Sequence, residues 1–395
     1  MTVPRFLQIH TLHSYTAALL NRDDTGLAKR LPYGGAFRTR ISSQCLKRHW
    51  RTADEDPHAL QNLEGYVDSF RSRMLVTSKV IEPLREHFSD DVVAALEQWF
   101  QFVVYSGNKD GIPKKRGESA KADQKKSRPT LLFGEPELTW LGQEFMRLAE
   151  EANGSADKAF SLGKSWGEKF KNNIDVMRKN TELNGGIYGG LPAALFGRMV
   201  TSDPAANIDA PLHVAHAFTV HAEETEGDYF TAVDDLKKDE DDSGADTIQE
   251  TELTSGLFYG YVVIDLPGLI ANCGRDRDLA ARVVHNLIHL IAEVSPGAKR
   301  GSTAPYGRAE LMLIEAGDRQ PRSLAAAYRK PVAHDLDQAV TALDSHLARL
   351  DETYETGELR RYLSVADTPL SGSERISLKA LAAWGASQVK DAPDA

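Results

Sequence analysis

The sequence predicts an α+β protein, and three observations carry that prediction. PRFLQIHTLH (4–13), GLFYGYVVIDL (256–266) and AELMLIEA (309–316) are apolar, β-prone runs of strand length. Helical patterns separate them, beginning at Ser42/Ser43 and again at LAARVVHNLIHLIAEV (279–294). A long block between residues 54 and 190 reads as mainly helical and interrupts the alternation. Strand, helix, insertion, strands, helix, strand is the order of a βαββαβ sheet with helices on one face and the other face open.

In chain order, the strand at 4–13 leads into a polar loop, 14–37, whose Gly34-Gly35 pair signals a turn. FRTRI (37–41) is a short strand feeding the first helix. VVAALEQWFQFVV (92–104) and the runs 140–152 and 156–178 are helices of the insertion, and the polar, basic stretch 105–129 between them reads as a mobile loop. ALFGRMVTS (194–202) reads as a buried strand and LHVAHAFTVHA (212–222) as another. An acidic excursion then runs to Thr254 and reads as a long hairpin. The helix 279–294 places Leu279, Val283, Leu287, Leu290, Ile291 and Val294 on one side, and Pro296-Gly297 stops it. LDQAVTALDSHLARLDETY (336–354) is the last expected helix, and SQVKDAPDA (387–395) reads as a disordered tail. These assignments divide the chain into 1–53 with 191–395 and an insertion, 54–190, with the excursion at about 220–255.

Composition narrows the function classes. With 395 residues and 41% hydrophobic content the chain can bury a sizeable core, and no apolar run reaches membrane-spanning length. The N-terminal residues lack a signal-peptide pattern, and two cysteines, Cys45 and Cys273, make neither a disulfide framework nor a metal cage. A cytoplasmic protein without a cofactor or metal is the expectation. Net charge is −10, yet residues 1–51 hold nine basic against two acidic residues, while 220–254 hold thirteen acidic residues against two lysines. That segregation suits a protein with one face turned to a polyanion.

RISSQCLKRHWR (40–51) gives that face its chemistry. A helix starting at Ser42 or Ser43 has a hydroxyl cap, and its first amides with the positive end of the helix dipole offer a phosphate site. Gln44, Lys47, Arg48 and Arg51 fall at i, i+3, i+4 and i+7 on one face, with Leu46, Trp50 and Ala53 opposite. Arg38 and Arg40 approach from the preceding strand. A basic helical stripe is often only a solvated face; the clustered arginines and the double-serine cap favour a grip on RNA backbone.

LNRDDTG (20–26), the Gly34-Gly35 turn and RISSQCLKRHWR resemble the N-terminal signature of the crRNA-binding backbone subunit of type I-E CRISPR Cascade complexes. ALFGRMVTS, VAHAFTVH (214–221), DYFTAVDDL (228–236), SGLFYGYVVIDL (255–266) and EVSPGAKRGSTAP (293–305) continue the likeness in the family's order, over most of residues 1–315. Cys45 stands where serine is common. The resemblance implies an RRM-like (ferredoxin-like) palm with a helical fingers insertion and a β-hairpin-like thumb. It implies copies stacked along a CRISPR RNA beside other Cascade subunits, flipping every sixth base and presenting the guide to target DNA. Carried over, Ser42, Ser43, Gln44, Lys47 and Arg48 contact guide backbone, and Asn21 and Arg22 lie in the adjoining loop. Met199 intercalates beside the kinked nucleotide, and Phe230 and Thr231 belong to the thumb. Lys299 and Arg300 add a backbone contact. In the basic run 109–128, Lys114, Lys115, Arg116, Lys121, Lys125 and Lys126 are the finger residues expected to touch DNA.

The competing class is a ribonuclease. His10 and His13 flank a strand end and could serve as acid and base on a 2′-hydroxyl, and Asp23-Asp24 could hold Mg²⁺. No spacing here matches a metal motif, and Asp23 more simply caps its own loop. His285 and His289 stand at i, i+4 as zinc ligands can, but with no third ligand close in sequence they read as helix-face residues. A binding protein that is not an enzyme is the expectation.

Overall fold

The computed structural model describes residues 3–105, 113, 129–169, 187–200, 206–231 and 248–394, with only the backbone at 230–231 and 248–250. These residues form two compact units: 1–63, 212–267 and 277–394 make the first, 64–211 and 268–276 the second.

The first unit is built on a ten-stranded sheet. Its strands are β1 (Phe6–Ala18), β2 (Arg30–Tyr33), β3 (Ala36–Ile41), β6 (Leu212–Val214), β7 (Ala217–Thr219), β8 (Thr225–Thr231), β9 (Ile248–Asp265), β10 (Ala309–Gly317), β11 (Leu359–Ser364) and β12 (Glu374–Arg375). The order is β12-β11-β10-β1-β9-β7-β3-β2, with β6 and β8 also paired to β9. All pairs are antiparallel except β11–β12. Helix α1 (Ser43–Arg51) follows β3, α5 (Arg277–Glu293) precedes β10, α6 (Leu336–Tyr354) precedes β11, and α7 (Leu378–Asp391) comes last. The path β1, α1, β7, β9, α5, β10 with spatial order β10-β1-β9-β7 is βαββαβ in the arrangement of a ferredoxin-like sheet. The fold is α+β, as the periodicities predict.

The expected open face is covered. Leu12, Leu257, Tyr259, Leu311 and Leu313 bury against Leu324, Tyr328 and the apolar stripe Ala339, Val340, Leu343 and Leu347 of α6. Residues of one face recur every second position along these strands, so the same alternation that feeds the α1/α5 side also feeds this second core. Four further expectations need correction. The loop 14–37 holds the end of β1 and a hairpin, β2–β3, whose turn uses Gly34 and Gly35 at φ +64° and +85°; Pro32 is tolerated because β2 is an edge strand. ALFGRMVTS begins as a helical turn, 191–196, with Pro192 pre-set for its first turn and Gly197 at φ +78° ending it. The segment 54–104 is only partly helical, containing the strand β4 (Ser69–Ser72) and irregular turns before α2 (Asp90–Tyr105). The polar tail belongs largely to α7, capped by Ser377, whose Leu381, Ala382, Gly385 and Val389 are buried. The acidic excursion does start as a hairpin, with Thr225 opposite Thr254 and Thr231 opposite Ile248; its acidic tip lies outside the described residues.

The second unit is mainly helical: α2, α3 (Glu135–Ala152) and α4 (Ala156–Glu168) enclose a core in which Phe100 stacks on Trp166 at 4.1 Å and meets Phe145 edge-on. A two-stranded ribbon, β4 with β5 (Leu131–Gly134), joins them. A buried ion pair, Arg198 Nη1 to Glu137 Oε2 at 2.6 Å, closes the unit, with Ala206 O accepting from Arg198 Nε and Nη2 at 2.9 and 2.8 Å. The sequence cuts at 53/54 and 190/191 compare with unit limits at 63/64 and 211/212, so the Met199 segment groups with the helices. No described helix is long and apolar enough to cross a membrane.

Candidate nucleic-acid interface

Helix α1 is held by its apolar side. Trp50 is buried, and Cys45 and Leu46 pack on Tyr15, Ala18, Leu20, Ile41, Ala217 and Phe258. That anchoring turns Gln44 and Arg48 to solvent, with Lys47 and Arg51 half-buried beside them. Its N-terminus is built as the serine spacing demands: Ser42 Oγ accepts from Cys45 N at 3.3 Å. Asn21 Oδ1 receives Ser42 N–H at 2.9 Å, which ties the Asn21 loop to the helix start. The amides are less open than expected, because His216 Nδ1 accepts from Ser43 N–H at 3.0 Å. Among the described residues the Gln44 amide is the first-turn donor left for a ligand.

His216 escaped the sequence reading. It sits in the connection between β6 and β7, with Nδ1 engaged at the helix and the ring otherwise exposed. With Nδ1 accepting, Nε2 carries the proton and is a donor facing the same side. Partial burial, then the charges of Arg40 and Lys29, hold its pKa below the ordinary value, so those two cations stand close by. Arg48 and Arg300 act in the same way on His49, where burial is again the larger cause. Lys29 and Arg40 thus lie near His216 at the start of α1, Arg300 lies near His49 beside Arg48 of the helix itself, and no acidic residue occupies the first turn. Lys47, lowered by burial, lies within this group.

Other expected residues fall elsewhere. Arg38 is not at the interface; it is fully buried and donates to four carbonyls, Tyr33 (3.3 Å), Thr219 (2.8 Å), His221 (3.2 Å) and Tyr328 (3.0 Å). β3 turns Arg38 inward and Arg40 only part-way out, and three of those carbonyls come from distant segments. Ser42 is itself buried as the cap rather than offered to a ligand. Arg22 is exposed on a short bridge to Ala28, and Lys299 donates to Thr251 Oγ1 at 2.5 Å. Met199, in the second unit, is 79% exposed, unusual for an apolar side chain that size. Phe230 and Thr231 lie on β8 opposite Gln249 and Ile248. Lys114, Lys115, Arg116, Lys121, Lys125 and Lys126 fall outside the described residues. Arg30, not anticipated, is spent on Glu223 and Glu252 at the base of the β8–β9 hairpin.

The histidines of the nuclease reading are separated. His10 is buried, its Nδ1 accepting from Tyr259 O–H at 2.8 Å and its Nε2 donating to Glu315 at 3.1 Å. Burial lowers its pKa and keeps it neutral. Burial alone would raise Glu315, but hydrogen bonds from His10 and Arg322 and the charge of Arg322 outweigh it and hold the carboxylate well below its usual range. His13 lies on the opposite face of β1, against the Ile291 and Ala292 carbonyls, its pKa pushed down to about 4 by burial. Asp23 caps its own loop, accepting from Thr25 N, Thr25 Oγ1 and Leu27 N at 2.9, 2.7 and 3.1 Å.

Comparison with known proteins then places the chain. The family described as CT1975-like protein matches residues 7–385, and the chain belongs to that family. One similar solved chain comes from a CRISPR RNA-guided surveillance complex, pre-nicking; it is 28% identical at a TM-score of 0.74, covering 97% of this chain and 100% of that one. A second, from a CRISPR RNA-guided surveillance complex, is 21% identical at a TM-score of 0.57, over 97% of this chain and 98% of that one, and speaks to the fold alone. No curated protein matches the chain.

Proposed function

We propose that this CT1975-like protein is the repeated backbone subunit of a type I-E Cascade complex and binds the CRISPR RNA guide along its sugar-phosphate chain. The observation that carries the reading is the basic surround of α1, with Lys29 and Arg40 near its capped start, Arg48 and Arg300 near its last turn, and a free amide and the His216 donor at the start. The likeness to a chain of an RNA-guided surveillance complex over the full length supports the same partner. In this reading copies stack along the guide in the cytoplasm, beside other Cascade subunits. The β8–β9 hairpin crosses the strand with Phe230 and Thr231, Met199 wedges next to the kinked nucleotide, and every sixth base turns out so that the rest pair with target DNA. Unstacking a base costs a few kcal/mol per step, which an apolar wedge offsets. The lysines of 109–128 contact that DNA. In this reading the chain works without catalysis, and the burial of His10 supports that.

Ribonuclease footprinting of guide RNA assembled with the purified chain tests the proposal. Protection with a six-nucleotide period, blurred by Phe230→Ala, is the expected outcome. Uniform protection by monomers refutes the backbone role, and repeat-RNA cleavage abolished by His13→Ala or Asp24→Ala refutes the non-catalytic one.

A further inference from the structure

The segment after α1 places His58 against α5, where His285, His289 and Glu293 follow one another at i, i+4 and i+8 on one helix face. The His58 and His289 rings lie parallel within 1° at 3.7 Å, and His285 is 5.0 Å from His289 and 5.9 Å from His58, centroid to centroid. One nitrogen of His58, one of His289 and a Glu293 carboxylate oxygen all lie within 4.8 Å of one another. Each ring has an oxygen near Nδ1: Asp56 Oδ1 at 3.5 Å for His58, Asn286 Oδ1 at 3.2 Å for His285, Glu293 Oε2 at 3.3 Å for His289. Among the described residues, Nε2 of all three has no protein partner. For His58 and His285 that is the pattern of imidazoles oriented on one side with the other nitrogen left for an ion, and at His289 the Glu293 carboxylate stands beside Nδ1 as a fellow ligand.

We propose that His58, His285, His289 and Glu293 bind a divalent transition-metal ion of the zinc class. Three imidazoles and one carboxylate suit Zn²⁺, Co²⁺ or Ni²⁺, and are a poor set for Mg²⁺ or Ca²⁺, which take oxygen ligands. The groups facing the cluster agree: Asp56 orients His58, and Arg308 Nε, 3.3 Å from Glu293 Oε1, is the only described ion-pair cation on that carboxylate and is largely exposed, so an ion displaces it readily. Coordination requires the stacked His58 and His289 rings to turn so that their lone pairs converge. The other His–Glu–His group, His221–Glu224–His334, lacks this freedom: His221 Nδ1 donates to Ala222 O at 2.7 Å and Nε2 accepts from Leu257 N at 3.1 Å. A bound ion would tie the segment around His58 to α5, independently of any RNA.

The test is a Co²⁺ titration of the untagged, EDTA-stripped full chain, followed by Zn²⁺ competition. Saturable binding with the visible bands of four-coordinate Co²⁺, displaced by Zn²⁺ but not by Mg²⁺, is expected. His58→Gln, whose side chain is half-exposed and whose fold is checked by circular dichroism, should weaken Zn²⁺ binding about tenfold or more, as should His285→Gln; His334→Gln should leave it unchanged. Absence of saturable Co²⁺ binding, or the parent affinity in His58→Gln, overturns the site.

Discussion

Removing the Arg38 side chain separates what holds this protein together from what it grips. Arg38 looks like part of the basic stripe, yet its guanidinium joins the carbonyls of Tyr33, Thr219, His221 and Tyr328 inside the first unit. Arg38→Ala takes the guanidinium from four carbonyls, three of them in buried hydrogen bonds, and leaves a cavity, while His221 O keeps the Thr219 Oγ1 donor at 3.0 Å. At roughly 1 kcal/mol for each acceptor that rehydrates only in part, the loss is about 3 kcal/mol, a large share of a domain's total stability. Urea denaturation at neutral pH reads it as a lower midpoint. Arg48→Ala is the counterpart: Arg48 is exposed on α1, so its loss should leave the midpoint in place. It should instead weaken RNA binding at every sequence and reduce the slope of log K against log salt by about 0.7. The reasoning fails if Arg38→Ala keeps the parent midpoint and loses RNA affinity, because Arg38 would then be a phosphate ligand.

Three further outcomes are expected. His13 folds as the neutral ring, with its pKa lowered from 6.5 to about 4. Its contribution is complete above pH 6.5 and is lost as pH falls toward 4, about 3 kcal/mol in all; a His13→Gln variant with an unchanged denaturation-midpoint profile between pH 7 and 4.5 contradicts this. Arg198→Ala removes the cation from buried Glu137, which keeps the Gly134 N–H at 2.9 Å, and should cost the second unit about 3–5 kcal/mol, much of it recovered when Glu137→Leu is added to Arg198→Met, as thermal denaturation will register. Ser42→Ala removes the α1 cap and should lower stability by about 1 kcal/mol in the same assay, with Ser42→Gly milder.

Local signals and distant contacts explain what was legible in the sequence. β9 and α5 were readable because their periods of two and 3.6 are long and clean, and α1 because Ser42 caps at the place where the basic stripe begins. Arg38 and Arg40 look alike in sequence; only the arrival of residues 219, 221 and 328 decides that one is core and the other rim. His216 and Ser43 meet through sheet pairing, and His58 reaches His289 across most of the chain, so neither pairing leaves a spacing to find. α7 was half-hidden by its small residues. Gly385 sits where a Cβ would come within 2.4 Å of Ile288, so close packing on α5, not hydrophobic content, keeps that helix. Covering of the second sheet face was written in the alternation of Leu311 and Leu313, but attributing it to α6 needed the tertiary structure.

The covered sheet has a consequence for what information the protein can take from its partner. Bases cannot lie flat on aromatic rings exposed across the strands, because Tyr259 and its neighbours are already roofed by α6 and the 324–328 turn. Around α1 what remains outside is chiefly charge and amide, groups that see a phosphodiester and are blind to the letters it carries. Such a surface accepts any text, and can repeat itself along a strand whatever is written there. On the proposed backbone role, any periodicity along the guide would come from protein dimensions. The molecule would measure its guide as a ruler does, without reading it.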